Sequence, residues 1–364
     1  MARLAKRMEA SSSPAKPQLL LLAGDQVYVD QTAGLFVPAG GDDVGQAYTL
    51  NFRLQALREV AASMPCYPLL DDHEVIDDWE PGTDPYGEPG TAAALGAYAA
   101  QQHKLVHGAR ANAIDQRPFD YRIAPAGFPF FMLDTRSTRE RRALRGDAQA
   151  AAQAVPLDRA AIRAEAGLGD LAKWLAAAPA ALPKFIVSPV ALFPMPRAAV
   201  SGDPAQRLGL DDWSGYPASQ RALLELLRDT TARHVVLLSG DRHMSSVSSL
   251  WLQAKAGPVE VISVVSSGLY APWPFVNARP DAFWLDGKVE LGAVPGAFSA
   301  TMATAAVGAG NGFAMLQVER GAGGHWRMEV TLDLDDGLTQ CRRDLDPAGG
   351  TGWTVEGPAR FARA

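Results

Sequence analysis

Short apolar runs of strand length alternate along the chain with longer alanine-rich stretches, and the two periods together predict an α/β fold built in layers. The apolar runs lie at residues 18–23, 66–70, 128–133, 185–190, 235–239 and 259–265. Helix-forming stretches at 47–63, 91–107, 158–178 and 218–230 lie between them, with Pro and Gly punctuating the joins. Residues 1–10 read as the end of a helix, and the Ser/Pro-rich stretch 11–17 as a linker into the first strand. Beyond Gly308 the period changes to two. Residues 312–319 and 326–333 alternate and are joined by a glycine-containing turn, which predicts a β-hairpin over about 312–333.

Polar groups collect where the strands end. The first run leads into GDQVYVD (24–30), the second into DDHEVIDDWE (71–80), the third into LDTRSTR (133–139) and the fifth into SGDRH (239–243). If these strands share one sheet, their carboxylates, histidines and arginine converge on its carboxyl edge, where loops held by rigid strands bind ligands in open α/β sheets.

Composition narrows the range of functions. At 364 residues and 48% hydrophobic content the chain can bury a full core, which excludes intrinsic disorder. Lys and Arg number 34 against 40 Asp and Glu, a formal charge of −6. With no basic block, the chain lacks the signature of a wide nucleic acid backbone-binding surface. Cys66 and Cys341 are the two cysteines and form no CxxC pair, so neither a disulfide framework nor a cysteine-rich zinc site is available. No apolar run approaches the roughly 20 residues of a membrane-spanning helix. Residues 1–18 hold neither an apolar signal region nor a twin arginine, so the chain reads as cytoplasmic, or as periplasmic or secreted if its true N-terminus is missing. Its oligomeric state is not legible.

Asp25, Asp72, Asp241 and His243 each follow a buried strand, and such a cluster of like charge is unfavourable unless a cation neutralises it. Oxygen-rich ligation with few imidazoles and no thiolate favours hard ions such as calcium, manganese or ferric iron. An Asp shared by two ions suits in-line displacement at phosphorus. Arg136 offers a planar, permanently charged fork for two phosphate oxygens. His73, beside Asp72, is suited to stabilise a transition state or protonate a leaving oxygen.

In order and spacing, GDQVY, DDHEV, LDTR and LSGDRH resemble the PhoD-like alkaline phosphatases and phosphodiesterases of the metallophosphoesterase superfamily. DDWSGY (211–216) and SVVSSG (263–268) extend the resemblance over roughly residues 18–335. It implies a four-layer α/β/β/α sandwich and a metal-dependent hydrolase of phosphoric esters, mono- or diesterase, acting on a small-molecule phosphate ester. It also implies two metal ions, iron(III) with calcium, or manganese. Carried over by residue, Asp25 bridges the ions, Tyr28 binds ferric iron as a phenolate, Asp72 binds the second ion, and Asp241 and His243 are further ligands. His73 and Arg136 then meet the phosphate as catalytic and substrate-binding groups. The catalytic domain is expected over 18–340, after a helix and linker (1–17) and before a C-terminal tail (341–364). Members of the family open with a strand carrying a Cys or Asp-x-His motif; here the chain begins inside what reads as the following helix, so that strand is expected to be absent. The alternative this raises is a degenerate, weakly active or inactive relative that binds a ligand or partner.

Other polar residues carry simpler readings. His103 and His107 share the spacing of a zinc pair, but HKLVH lacks a zincin's Glu and a solvated helix face is expected. Asp77 and Asp78 are expected in a solvated loop, and Asp134 as a salt-bridge partner orienting Arg136. Cys66 is expected as a small buried hydrophobe. Trp213 and Trp273 are expected in core packing, and GAGNG (308–312) opens no helix and is not a phosphate loop.

Overall fold

The computed structural model describes residues 2–10, 16–30, 41–83, 88–104, 117–146, 154–164, 167–200, 203–255, 257–266, 268–269, 278–291, 298–321, 324–345 and 352–361. His107 and Trp273 lie outside them. The chain forms two compact units, one comprising Met1–Asp120 with Leu133–Arg141, the other Tyr121–Met132 with Arg142–Ala364.

In the first unit, helix α1 (Ala2–Ala10) buries Leu4 and Met8, whose spacing of one helical turn puts them on one face. Strands β1 (Leu20–Ala23) and β2 (Cys66–Leu69) pair in parallel, Leu20 opposite Cys66 and Ala23 opposite Leu69. The single helix expected at 47–63 is two, α2 (Gly41–Phe52) and α3 (Gln55–Ser63), because Leu54 leaves the helical region at φ −57°, ψ 118°. Helix α4 (Glu88–Tyr98) runs into a π-helical turn, Ala99–His103. Val27, Tyr48, Leu70, Val75, Trp79, Tyr98 and Phe119 form the core between these elements. His103 belongs to it: the ring is buried against Tyr98 and Phe119, which corrects the expectation of a solvated face.

In the second unit a mixed sheet of eight strands holds the core. It is built from β3 (Tyr121–Ile123), β4 (Phe130–Met132), β5 (Lys184–Ser188), β6 (Val235–Ser239), β7 (Met244–Leu252), β8 (Val259–Val265), β9 (Asp286–Leu291) and β10 (Phe298–Ala309). Their order is β9-β10-β7-β8-β6-β5-β4-β3. The centre, β4, β5, β6 and β8, is parallel, and its near-continuous apolar runs are those of strands buried on both faces. Helices α5 (Gly169–Ala177) and α6 (Pro217–Asp229) bury Leu171, Trp174, Leu223 and Leu227. The helix expected from 158 begins only at Gly169, after turns and Gly167 at φ +52°.

The expected C-terminal hairpin is present and continues into a larger sheet. The hairpin over 312–333 is part of a four-stranded antiparallel sheet, β11 (Gly312–Arg320), β12 (Trp326–Leu334), β13 (Gly337–Leu345) and β14 (Thr354–Glu356), so strands occupy much of the expected tail. Arg343 on β13 is buried, donating to Ser249 of β7 at 2.7 Å and to Glu260 of β8 at 2.7 Å. The single sheet edge expected to carry every motif is divided. The GDQVYVD and DDHE segments follow a two-stranded sheet of the first unit, and SGDRH follows β6 of the eight-stranded sheet. No helix among the described residues is long and apolar enough to cross a membrane.

Ile186, in the centre of β5 and 1% exposed, tests this core directly. Ile186→Ala is expected to lower the free energy of unfolding by about 2–5 kcal/mol in a urea titration, through lost burial and the cavity left behind. A change under about 1 kcal/mol would show that the sheet is not packed as described.

Candidate metal centre

Two loops, one after β1 and one after β2, interlock in the first unit. Gly24 has φ +93°, and a Cβ added there would meet the Cβ of Asp71 at 2.5 Å, so only glycine permits the close approach. Asp25 follows at φ +56°, a left-handed conformation unusual for a residue with a side chain. The buried Glu74 carboxylate accepts the backbone N–H of Asp25 (3.3 Å), Gln26 (2.7 Å), Val27 (3.2 Å) and Asp71 (2.8 Å). In return the His73 N–H donates to Asp25 Oδ1 at 3.4 Å, and the Val29 N–H to the His73 carbonyl at 2.9 Å.

These loops concentrate acidic oxygens. Asp25, Asp71 and Asp72 each offer a carboxylate oxygen within 4.8 Å of the others'. Asp72, His73 and Asp77 form a second such group, and the Asp78 N–H donates to Asp72 Oδ2 at 2.7 Å. Asp77 and Asp78 are exposed, as expected, yet adjoin the site. Burial, reinforced by the charges of Asp72, Asp71 and Glu74, raises Asp25 well above the usual carboxylate range. Burial likewise pushes Glu74 up to about 7, against the pull of its backbone donors.

Arg136 answers part of this charge. The Leu133–Arg141 segment brings the guanidinium to 0% exposure, with Nε 2.8 Å and Nη2 2.6 Å from Asp71 Oδ1, Nη2 3.3 Å from Asp72 Oδ1, and Nη1 donating to the Trp79 carbonyl at 3.0 Å. The guanidinium is thus engaged on three sides, as a buried counter-ion to Asp71 and Asp72. Asp134 holds the start of the same segment. Its carboxylate accepts the N–H of Phe119 (2.7 Å), Arg136 (2.8 Å) and Ser137 (3.0 Å), and the Ser137 hydroxyl, which fixes the loop.

His73 has a defined orientation. Nδ1 lies 2.9 Å from both carboxylate oxygens of buried Asp30, and Nε2 lies 3.6 Å from Asp77. Tyr28 stacks on the imidazole, ring centroids 4.1 Å apart. Burial alone would lower the imidazole pKa, but Asp72, Asp25 and Asp30 overcome it and push it up to about 11.

Asp25, Tyr28, Asp72, His73 and Arg136 thus all belong to the first unit. Asp241 and His243 stand in the second, in the link from β6 to β7, at φ +61° and +48°. Between them Arg242 pairs with Asp212 and donates to the Ala191 carbonyl at 3.3 Å. Asp25, Asp78, Asp241 and His243 are four of the six described non-glycine residues with positive φ, and strain of this kind concentrates at functional loops. Trp213 is core, as expected, 0% exposed with Nε1 donating to Ser188 Oγ. Cys66 is only half-buried, which corrects its reading as a buried hydrophobe. Asp30, Asp71 and Glu74 went unnoticed in the sequence although each lies inside a recognised motif. An acid one or two residues from a nominated ligand was the available signal.

The donor set fits hard cations: clustered carboxylates beside one imidazole and no thiolate, with burial and neighbouring carboxylates opposing the ionisation of Asp25. Fold and site define an α/β protein whose acidic chemistry is gathered at strand ends. The pattern of the family described as PhoD-like phosphatase matches residues 5–273, well over half of the chain, and the chain belongs to that family. A solved structure titled "Structure of PhoD" matches with a TM-score of 0.57 at 14% identity, over 98% of this chain and 70% of that one, a likeness of fold. No curated protein matches.

Two outcomes follow from this geometry. Arg136→Met leaves Asp71 and part of Asp72 buried without their counter-ion, so unfolding in urea should become easier by about 3–5 kcal/mol. Unchanged stability would show that the guanidinium does not offset the charge of these carboxylates. In the metal-free protein both shifted groups hold protons more tightly folded than unfolded. The stability due to Glu74 is complete below its ordinary 4.5 and lost as pH rises through about 7; that due to His73 is complete below 6.5 and lost through about 11. The urea midpoint of chelator-treated protein should therefore fall between about pH 5 and pH 8, and excess manganese should restore it by binding the native state. A midpoint that rises over that range would contradict the charge balance described.

Proposed function

We propose that this chain is a metal-dependent phosphoric ester hydrolase, and that Asp25 and Asp72 hold a dinuclear centre to which Tyr28, Asp241 and His243 are further ligands. Membership of the PhoD-like phosphatase family supports the reaction class. The observation that carries the reading is the group of Asp25, Asp71 and Asp72 oxygens beside His73, more negative charge than Arg136 and one imidazolium offset. Bound ions would supply Lewis-acid activation of water and offset the charge of the phosphate.

The chain's own residues do the rest. Asp30 receives the Nδ1 proton of His73 and fixes the ring, which leaves Nε2 as the group that holds or gives a proton at the leaving oxygen. Tyr28, stacked on the same ring, limits its rotation. Arg136 acts from behind, holding Asp71 and Asp72 in place. Hard ions, iron(III) with calcium or manganese, suit these donors. Small phosphate mono- or diesters are the proposed substrates.

Asp25→Asn should abolish hydrolysis of p-nitrophenyl phosphate and of its bis ester while circular dichroism stays unchanged, and full activity in that variant would end the proposal. Metal analysis of the native protein should find about two ions per chain. One ion or none, together with no turnover, would favour a relative that only binds ligands.

A further inference from the structure

Glu74 is buried in the site, carries an ionisable carboxyl, and has no part in the function proposed above. The N–H groups of Asp25, Gln26 and Val27 point successively at its carboxylate. Consecutive amides turned to one side by a left-handed residue form a concavity that binds anions. Here Gly24 at φ +93° and Asp25 at φ +56° make that turn, and the anion is the protein's own side chain. Oε1 accepts from Gln26 and Val27, Oε2 from Asp25 and Asp71. One carboxylate therefore ties the loop after β1 to the loop after β2. The first loop is also gripped from outside: the Gln26 carbonyl accepts from Asn51 at 2.5 Å and its side-chain oxygen from Gln102 at 3.0 Å.

We infer that Glu74 is a positioning residue, an internal anion whose backbone contacts set the separation of Asp25 from Asp72 and so the affinity of the site for a divalent cation. The inference rests on the proposal that Asp25 and Asp72 hold metal. A carboxylate suits this role because it is an acceptor on both oxygens and matches four donors. Glutamine of the same shape would keep one oxygen but turn an NH2 toward amides that also donate.

The test uses manganese(II) titrated calorimetrically into the chelator-treated full chain, as wild type and as Glu74→Gln, with hydrogen exchange on both metal-free proteins. Glu74→Gln should bind manganese about 10–100-fold more weakly, the usual loss when a group supporting the ligands is removed. Amides 25–27, which lie in no helix or strand, should exchange slowly in the wild type and rapidly in the variant. Unchanged manganese affinity in a variant that keeps its circular dichroism would overturn the inference. So would unprotected amides 25–27 in the wild type, a measurement that stands even if the variant fails to fold. Weakened binding with amides still protected in the variant would make Glu74 a direct ligand, and would also overturn it. If the wild type binds no manganese, the metal reading falls and this inference with it, whatever the amides do.

Discussion

The first unit is organised around one electrostatic problem, the burial of Asp71, Asp72 and Glu74 with the partly buried Asp25 at the ends of two short strands. Moving even one carboxylate out of water without compensation costs several kcal/mol, so each must find a partner or a proton. The local structure follows from how that is done. Asp71 takes the Arg136 guanidinium, which requires the Leu133–Arg141 segment to belong to this unit although β4, just before it, belongs to the other. Glu74 takes backbone amides, which requires Gly24 and Asp25 to adopt left-handed conformations. His73, packed against Asp30 and beneath Tyr28, contributes the imidazolium.

The parallel strands were legible in the sequence, and the reason is burial on both faces. Val235–Ser239 is apolar up to its last residue, Val259–Val265 is broken only at Glu260 and Ser263, and both stand where the apolar pattern put them. The strands that escaped notice bury polar or small groups. Met244–Leu252 reads MSSVSSLWL, and Ser245, Ser246, Ser248 and Ser249 are all buried, Ser248 beside the Thr304 hydroxyl at 3.0 Å. Gly337–Leu345 alternates faithfully, but Thr339 and Arg343 occupy inward positions, and the charge of Arg343 is met by Glu260 rather than by water. Hydropathy registers side chains, and these strands are buried through partners that lie far away in sequence.

The site shows the same division. The motifs marked the loops, because an acid immediately after an apolar strand stands out locally. They could not say how each acid is engaged. Arg136 was legible as a cation near phosphate chemistry, yet its burial depends on Asp71 and on the Trp79 carbonyl, 65 and 57 residues away. Glu74 is the last letter of DDHE in the sequence, and only the fold gives it amides from both loops.

How the acids are engaged also bears on which of them can receive a cation. Asp134 is saturated by N–H and hydroxyl donors, Asp30 faces the imidazole and the Asp77 N–H, Glu74 is surrounded by backbone amides, and Asp71 has the guanidinium. Asp25 differs from all of these. Among the described residues it accepts one long bond, from the His73 N–H at 3.4 Å, while burial and three neighbouring carboxylates oppose its ionisation. A group so placed gains from a bound cation, since ligation removes the repulsion that protonation otherwise relieves. Charge repulsion and the order of letters are thus separate reasons for the role proposed for Asp25. The weak engagement of Asp25 is what a ligand needs and what a structural acid would not retain.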